Sequence, residues 1–281
     1  MLNYLLYKVG EFLACIFTWD FAYKVGAFLA KLQFLISRKD REAVINNLRV
    51  ILPNKNEDEI AKKAKEVFVN FGLYLVEFFR FSRIDRVYVD KHFIISGKEN
   101  IDSSLRKGKG LIFLTAHIGN WELGGMALSL LGYPLMAIAL DHKDPRINNF
   151  FKMRRQSKGI EVVSLGSSVK QCYRGLRNNK IVALLSDREF GKSGYELDFL
   201  GRKKIIPRGA AVLALRTGAA LVPVFVIRQG LNQIKIECLP ALDICDNSSE
   251  LDVIKKYAKI MEEYIYKYPS QWLMFREFWK E

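Results

Sequence analysis

Hydrophobic and polar positions along the chain change their period several times, and each change marks an element. Residues 1–36 are rich in aromatic and aliphatic side chains but are interrupted by Lys8, Glu11, Asp20, Lys24 and Lys31. The longest uncharged run among them, Phe12 to Trp19, is eight residues, whereas a bilayer-spanning helix needs about twenty. No small-residue cleavage site follows a clean apolar centre, so a secretory signal is not expected. The pattern predicts two amphipathic helices lying in a membrane interface, with Tyr4, Tyr7, Trp19 and Tyr23 suited to headgroup depth, and the plainer alternative is a helical hairpin packed on the core.

A helix is expected from Lys39 to Val50, ended by Pro53. Asn56 followed by Glu57-Asp58-Glu59 is a helix-start pattern, with acids placed to favour the dipole. Behind it Ile60, Ala64, Val67, Phe68, Phe71, Leu75 and Phe78 recur at helical spacing. Short apolar runs then alternate with helical stretches, as buried strands do. The strands predicted are Phe93 to Ile95, Leu111 to Leu114, Pro134 to Leu140, Ile160 to Leu165, Ile181 to Leu185, Leu221 to Ile227 and Ile234 to Leu239. Between them, Asp144-Pro145 opens a helix to about Ser157, another covers Val169 to Arg177, and Pro207 opens one that Gly218 ends. Ser249 caps a last long helix that stops near Pro269.

The stretch Leu111 to Gly125, LIFLTAHIGNWELGG, breaks its strand pattern at Thr115-Ala116 and resumes as a helix from about residue 119. A polar cluster at the carboxyl end of a strand is where open α/β sheets place their chemistry. His117 and Glu122 are five apart, poorly matched on one helix, but they can turn towards each other if His117 lies in the loop. A carboxylate accepting one imidazole N–H leaves the other nitrogen free to take a proton. Gly119 admits a reacting group close to the backbone, and Asn120 lies beside it. The helix start offers N–H groups to an oxyanion. A satisfied histidine beside an unrelated glutamate is the plainer alternative on spacing alone. His92 is expected at a strand edge and His142 in a loop, both structural.

Composition narrows the partners. The net charge is +14, and between Asp141 and Arg216 there are 17 Lys/Arg against 7 Asp/Glu. Such a field attracts nucleic acid, acidic lipid, a phosphorylated substrate or an acidic carrier protein. No nucleic-acid-binding motif accompanies the charge. The four cysteines form no CxxC pair, and three histidines without a His/Cys cluster give no metal site.

The block AHIGNWELGG resembles the HxxxxE active-site motif of the bacterial lipid A late acyltransferases, the lauroyl and myristoyl enzymes of the lysophospholipid acyltransferase superfamily. A second block, FLGRKKIIPRGAAVLALRTGAALVPVF from Phe199 to Phe225, is similar to the family's FxG, PxGxAxLA and TGAxxVPxF pattern. The tail from Ser270 to Arg276 resembles the family's QWxWxHRRF ending, with departures at Met274, Phe275 and Glu277. Asp187 stands where the family commonly has Asp before Gln or His; here Arg188 follows. The resemblance implies an α/β fold with a mixed, largely parallel central sheet flanked by helices, as in glycerol-3-phosphate acyltransferases. It divides the chain into a membrane-associating segment, 1–38, and an acyltransferase domain, 39–281.

The activity implied is O-acyl transfer from a thioester, acyl-acyl carrier protein or possibly acyl-CoA, to a hydroxyl of a membrane glycolipid such as a lipid A precursor. Another membrane lipid, for example a mannosylated inositol lipid, is the alternative acceptor. His117 would be the base and Glu122 its orienter. Gly119, Asn120, Arg154 or Arg155, Asp187 and Arg208 would bind substrate. Asp187 reads as an orienter or a ligand of the acceptor hydroxyl, with a helix cap or a salt bridge to Arg188 as the second reading. No metal or redox cofactor is implied. The partners implied are the carrier protein, an anionic lipid and the membrane surface, not nucleic acid, at the cytoplasmic face of a bacterial inner membrane.

Overall fold

The computed structural model describes residues 2–189, 193–245 and 247–280. The chain opens with helices α1 (Leu2–Ile16) and α2 (Trp19–Ile36), then α3 (Arg38–Ile51) and α4 (Glu57–Phe79). Asn56 and Glu59 close a reciprocal capping box at the start of α4, as the acidic pattern there predicts. Against α4 lies α2, where Gly72 faces Gly26 so closely that a Cβ on Gly72 would stand 2.7 Å from the Gly26 carbonyl oxygen. The outer face of α1 and α2 stays apolar and uncovered, with Phe12, Phe28, Leu35 and Ile36 all more than 60% exposed. No helix among the described residues is long and apolar enough to cross a membrane.

After a short helix α5 (Arg86–His92) come β1 (Phe93–Ser96), α6 (Lys98–Leu105), β2 (Leu111–Thr115), α7 (Trp121–Leu130) and β3 (Leu135–Ala139). Then follow α8 (Pro145–Gln156), β4 (Glu161–Ser164), α9 (Ser168–Arg177) and β5 (Ile181–Leu185). The last elements are β6 (Gly194–Phe199), β7 (Arg202–Pro207), α10 (Gly209–Thr217), β8 (Ala220–Gly230), β9 (Gln233–Cys238) and α11 (Glu250–Lys267). Seven strands form one sheet in the order β1-β9-β8-β2-β5-β3-β4. All neighbours are parallel except β8 and β9. The mixed, largely parallel sheet flanked by helices is the architecture expected from the sequence.

Alternate side chains of β2 feed two apolar layers. Ile112 and Leu114 join the layer with α9, α10 and α11, and Leu111 and Phe113 join the layer with α7 and α8. Because both faces are covered, the strand reads as an unbroken apolar run rather than an alternating one. Each such side chain contributes about 1.5–3 kcal/mol on burial, so the strand that leads to His117 is among the firmest parts of the molecule.

Two local expectations are corrected, and one element is new. Residues 194–207 form an antiparallel hairpin, in register from Gly194↔Pro207 to Phe199↔Arg202. Its two-residue turn is Leu200-Gly201, both at positive φ, 54° and 82°, as a primed hairpin turn requires. Pro207 therefore ends a strand, and α10 starts two residues later. His92 closes α5 rather than lying at a strand edge, and its Nδ1 is 2.9 Å from the Asn232 carbonyl oxygen.

Candidate active site

Parallel pairing of β2 with β5 sets Thr115 opposite Leu185, and the Ser186 amide donates to the Thr115 carbonyl at 2.8 Å. The residues that follow each strand thus leave the same end of the sheet side by side. His117 and Asp187, 70 apart in sequence, meet there: Nδ1 lies 2.7 Å from Asp187 Oδ1. The His117 amide donates to Oδ2 at 3.0 Å and the Trp272 indole N–H to the same oxygen at 3.2 Å. Asp187 has no exposed surface. Burial alone would raise its pKa, but the facing imidazole and these donors outweigh it and hold the carboxyl below its ordinary value. An ionised Asp187 accepts only, so Nδ1 carries a proton and Nε2 keeps its lone pair while the ring is neutral. The ring packs edge-on against Trp121, with centroids 5.1 Å apart.

Glu122, expected beside the imidazole, is bound elsewhere. Arg155 Nε donates to its Oε2 at 2.8 Å and Nη2 to its Oε1 at 2.5 Å. The first turn of α7 presents Glu122 to the last turn of α8, and Asp187 already occupies the Nδ1 side of the ring. Burial opposes the Arg155 charge, yet the adjacent carboxylate more than offsets it and raises the guanidinium pKa. The two arginines that sequence leaves unseparated part here. Arg154 pairs with Glu11 of α1 and lies over the Phe150 ring, 3.4 Å from its centroid.

A cavity of about 430 Å³ opens over this arrangement. His117, Trp121, Glu122 and Arg155 line it, together with apolar groups of β3 and β5 such as Leu135, Ile138 and Leu184. Arg188 and Arg276 also line it, as does His142, stacked on Phe151 at 4.7 Å. Burial and the nearby Arg155 hold His142 below the usual imidazole value, so it is neutral at pH 7.

Gly119 and Asn120 adjoin the cavity but serve the backbone. At φ 62°, Gly119 lies so near β8 that a Cβ would stand 1.7 Å from the Val226 carbonyl oxygen. Its amide donates to the Gln271 carbonyl at 2.8 Å and is therefore not free for the substrate role expected of Gly119. Asn120, 3% exposed, caps α7: Oδ1 accepts from the Leu123 amide at 3.0 Å, and Nδ2 donates to Glu77 at 2.6 Å. Its amide group is therefore committed away from the cavity. The amides of Trp121 and Glu122 take no partner among the described residues, as the first turn of a helix leaves them. Arg208 precedes α10 and pairs with Glu250 at 2.9 Å, outside the cavity wall.

Sequence reasoning missed three contributors: Trp272 behind Asp187, Arg276 on the cavity wall, and Glu77. Trp272 and Arg276 lie in the tail that resembles the family ending, and Glu77 left its own signal as a lone acid inside the apolar run Leu75-Val76-Glu77-Phe78-Phe79.

A half-buried imidazole on the wall of a largely apolar cavity, bonded to a fully buried carboxylate, suits proton transfer beside a fatty chain, and related chains bear names of that kind. The chain is 30% identical over 217 residues to a phosphatidylinositol mannoside acyltransferase of Mycobacterium tuberculosis, covering 75% of this chain and 68% of that one. It is 23% identical over 244 residues to the lipid A biosynthesis palmitoleoyltransferase of Escherichia coli, covering 84% and 77%. A crystal structure of the 1-acyl-sn-glycerophosphate acyltransferase of Thermotoga maritima aligns with 89% of this chain and 99% of that one, at 14% identity and a TM-score of 0.43. The sequence profile described as bacterial lipid A biosynthesis acyltransferase matches residues 1–281, and the chain is an acyltransferase belonging to that family.

Proposed function

We propose that the protein moves a fatty acyl group from a thioester onto a hydroxyl of a membrane glycolipid, with His117 as general base. Nε2 takes the hydroxyl proton as the oxygen attacks the thioester carbonyl carbon. The tetrahedral intermediate collapses with loss of the C–S bond, and the imidazolium returns its proton to the departing thiolate. Asp187, in the role first expected of Glu122, orients the ring and stabilises the imidazolium. The oxyanion is held by the Trp121 and Glu122 amides at the start of α7, each such donor lowering the barrier by about 3 kcal/mol. The Glu122–Arg155 pair holds α7 against α8 and keeps a charged rim on an otherwise apolar cavity. The chemistry balances without a metal or redox cofactor.

The observation that carries this reading is the 2.7 Å contact between Nδ1 of His117, which lines the cavity, and a fully buried Asp187 behind it. The donor is acyl-acyl carrier protein, whose acidic surface suits the basic middle of the chain, with acyl-CoA as the second donor to try. The apolar outer face of α1 and α2 holds the protein in the interface at the cytoplasmic side of the inner membrane. A lipid A precursor is the first acceptor. A phosphatidylinositol mannoside is the second, favoured by the 30% identity to the mycobacterial enzyme. Purified protein given each donor with each acceptor, and followed by mass spectrometry of the lipid, produces an acylated acceptor that His117→Ala does not. Equal product from His117→Ala removes the base assignment.

A further inference from the structure

Glu77 is a carboxylate, 1% exposed, on the inner side of α4. Its Oε1 accepts from the Tyr23 hydroxyl at 2.8 Å and from Arg228 Nη2 at 2.5 Å, and its Oε2 accepts from Asn120 Nδ2 at 2.6 Å. One side chain thus joins α2, α4, β8 and the start of α7. Arg228 is fixed in turn, since its amide donates to Gln271 Oε1 and its carbonyl accepts from Gln271 Nε2, both at 2.9 Å. The Gln271 carbonyl holds the Gly119 amide, and the His117 carbonyl accepts from Leu273 at 2.8 Å.

We infer that Glu77 is a positioning residue for the acyl transfer: it dictates which end of the Asn120 amide meets the first turn of α7, and it draws α2 into that arrangement through Tyr23. The two ends of an asparagine amide are nearly equal in size, but only the oxygen can cap a helix. A carboxylate accepts and never donates, so the Asn120 NH2 must face Glu77 and its oxygen must face the Leu123 amide. The capped turn carries the Trp121 and Glu122 amides and the Glu122 side chain. Apolar side chains of similar volume stabilise a fold at least as well as a buried ion pair, but they cannot choose an amide orientation. Helix α2, which the proposed function sets against lipid, is by this route a working part of the site.

The inference rests on the acyl-transfer reading, and a donor–acceptor swap tests it separately. In Glu77→Gln the new NH2 faces the Asn120 NH2, two donors with nothing between them. In Asn120→Asp two carboxylates meet. In the Glu77→Gln/Asn120→Asp double variant the introduced amide donates to the introduced carboxylate. That carboxylate still caps the Leu123 amide, and the negative charge stays near Arg228. The readout is release of thiol from acyl-acyl carrier protein or palmitoyl-CoA in vesicles that carry a lipid A precursor or a phosphatidylinositol mannoside, counting only what His117→Ala abolishes, with circular dichroism to normalise for folded protein. Each single variant loses about tenfold or more in kcat with KM within about twofold, and the double variant recovers to within about threefold of the parent. A merely structural contact lowers Tm and leaves kcat per folded molecule unchanged. The inference is overturned if Glu77→Gln keeps its kcat, or if the double variant is no faster than the slower single. If the parent releases no thiol that depends on His117, the acyl-transfer reading fails by itself. Amide orientation is then read from Tm, where a double variant melting no higher than both singles overturns it.

Discussion

Arg155 grips Glu122 through two parallel hydrogen bonds, 2.8 and 2.5 Å long, so the acid of the HxxxxE block faces α8 while the imidazole turns to Asp187. Both partners of the pair are mostly buried, with side chains 10% and 14% exposed.

Removing one partner leaves a charge without its counterpart. Glu122→Met and Arg155→Met are each expected to lower stability by about 2–4 kcal/mol, whereas the Glu122→Met/Arg155→Met double variant stays within about 1 kcal/mol of the parent. Urea titrations of the four proteins measure both figures. A double variant as unstable as the sum of the singles contradicts the pairing.

At Gly119 the left-handed backbone and the nearby Val226 carbonyl leave no room for a methyl group. Gly119→Ala must move β8 or the His117 loop, at a cost of about 1–3 kcal/mol in strain. Thermal melting shows the loss, and a variant with unchanged Tm shows that the loop lies farther from β8.

Asp187 gives a pH signature. Its carboxyl is held below the ordinary value in the fold, so its stabilisation is fully present above the unfolded-state pKa of about 3.9. It is lost as pH falls through the still lower folded value. The Tm difference between the parent and Asp187→Asn therefore does not shrink across neutral pH and falls away only in strong acid. A difference that shrinks between pH 7 and 5 contradicts an ionised, well-bonded Asp187.

Vesicle attachment depends on the outer face of α2. Phe28 and Leu35 are 66% and 68% exposed, so Phe28→Asp/Leu35→Asp removes no core contact. It weakens binding to anionic vesicles by about tenfold or more, since each such side chain contributes about 1.5–3 kcal/mol when withdrawn from water. Co-sedimentation measures it, and unchanged binding places the membrane contact elsewhere.

Much of the architecture is visible in local pattern. The strand runs at Leu111, Ile181 and Leu221 read directly as apolar stretches closed by polar residues, because strands covered on both faces cannot alternate. His117 stands out where such a run breaks. Asp187 is visible as a candidate orienter, but its pairing with His117 is not, because it reaches the ring only through the register of β2 on β5, and no spacing along the chain encodes which strands are neighbours. The same blindness makes Glu122 look like the orienter: it is close in sequence, while Arg155, which claims it, comes from another helix. The hairpin at 194–207 escapes notice because its turn places Leu200 at positive φ, where glycine or asparagine is the usual signal.

The most direct test of the base assignment compares kcat for acyl transfer in Asp187→Asn and Glu122→Gln at saturating donor and acceptor. The account predicts that Asp187→Asn loses roughly 10³-fold or more, approaching His117→Ala, with KM little changed, as for loss of the carboxylate behind a catalytic histidine. Full activity in Asp187→Asn, with the collapse falling on Glu122→Gln instead, would contradict it.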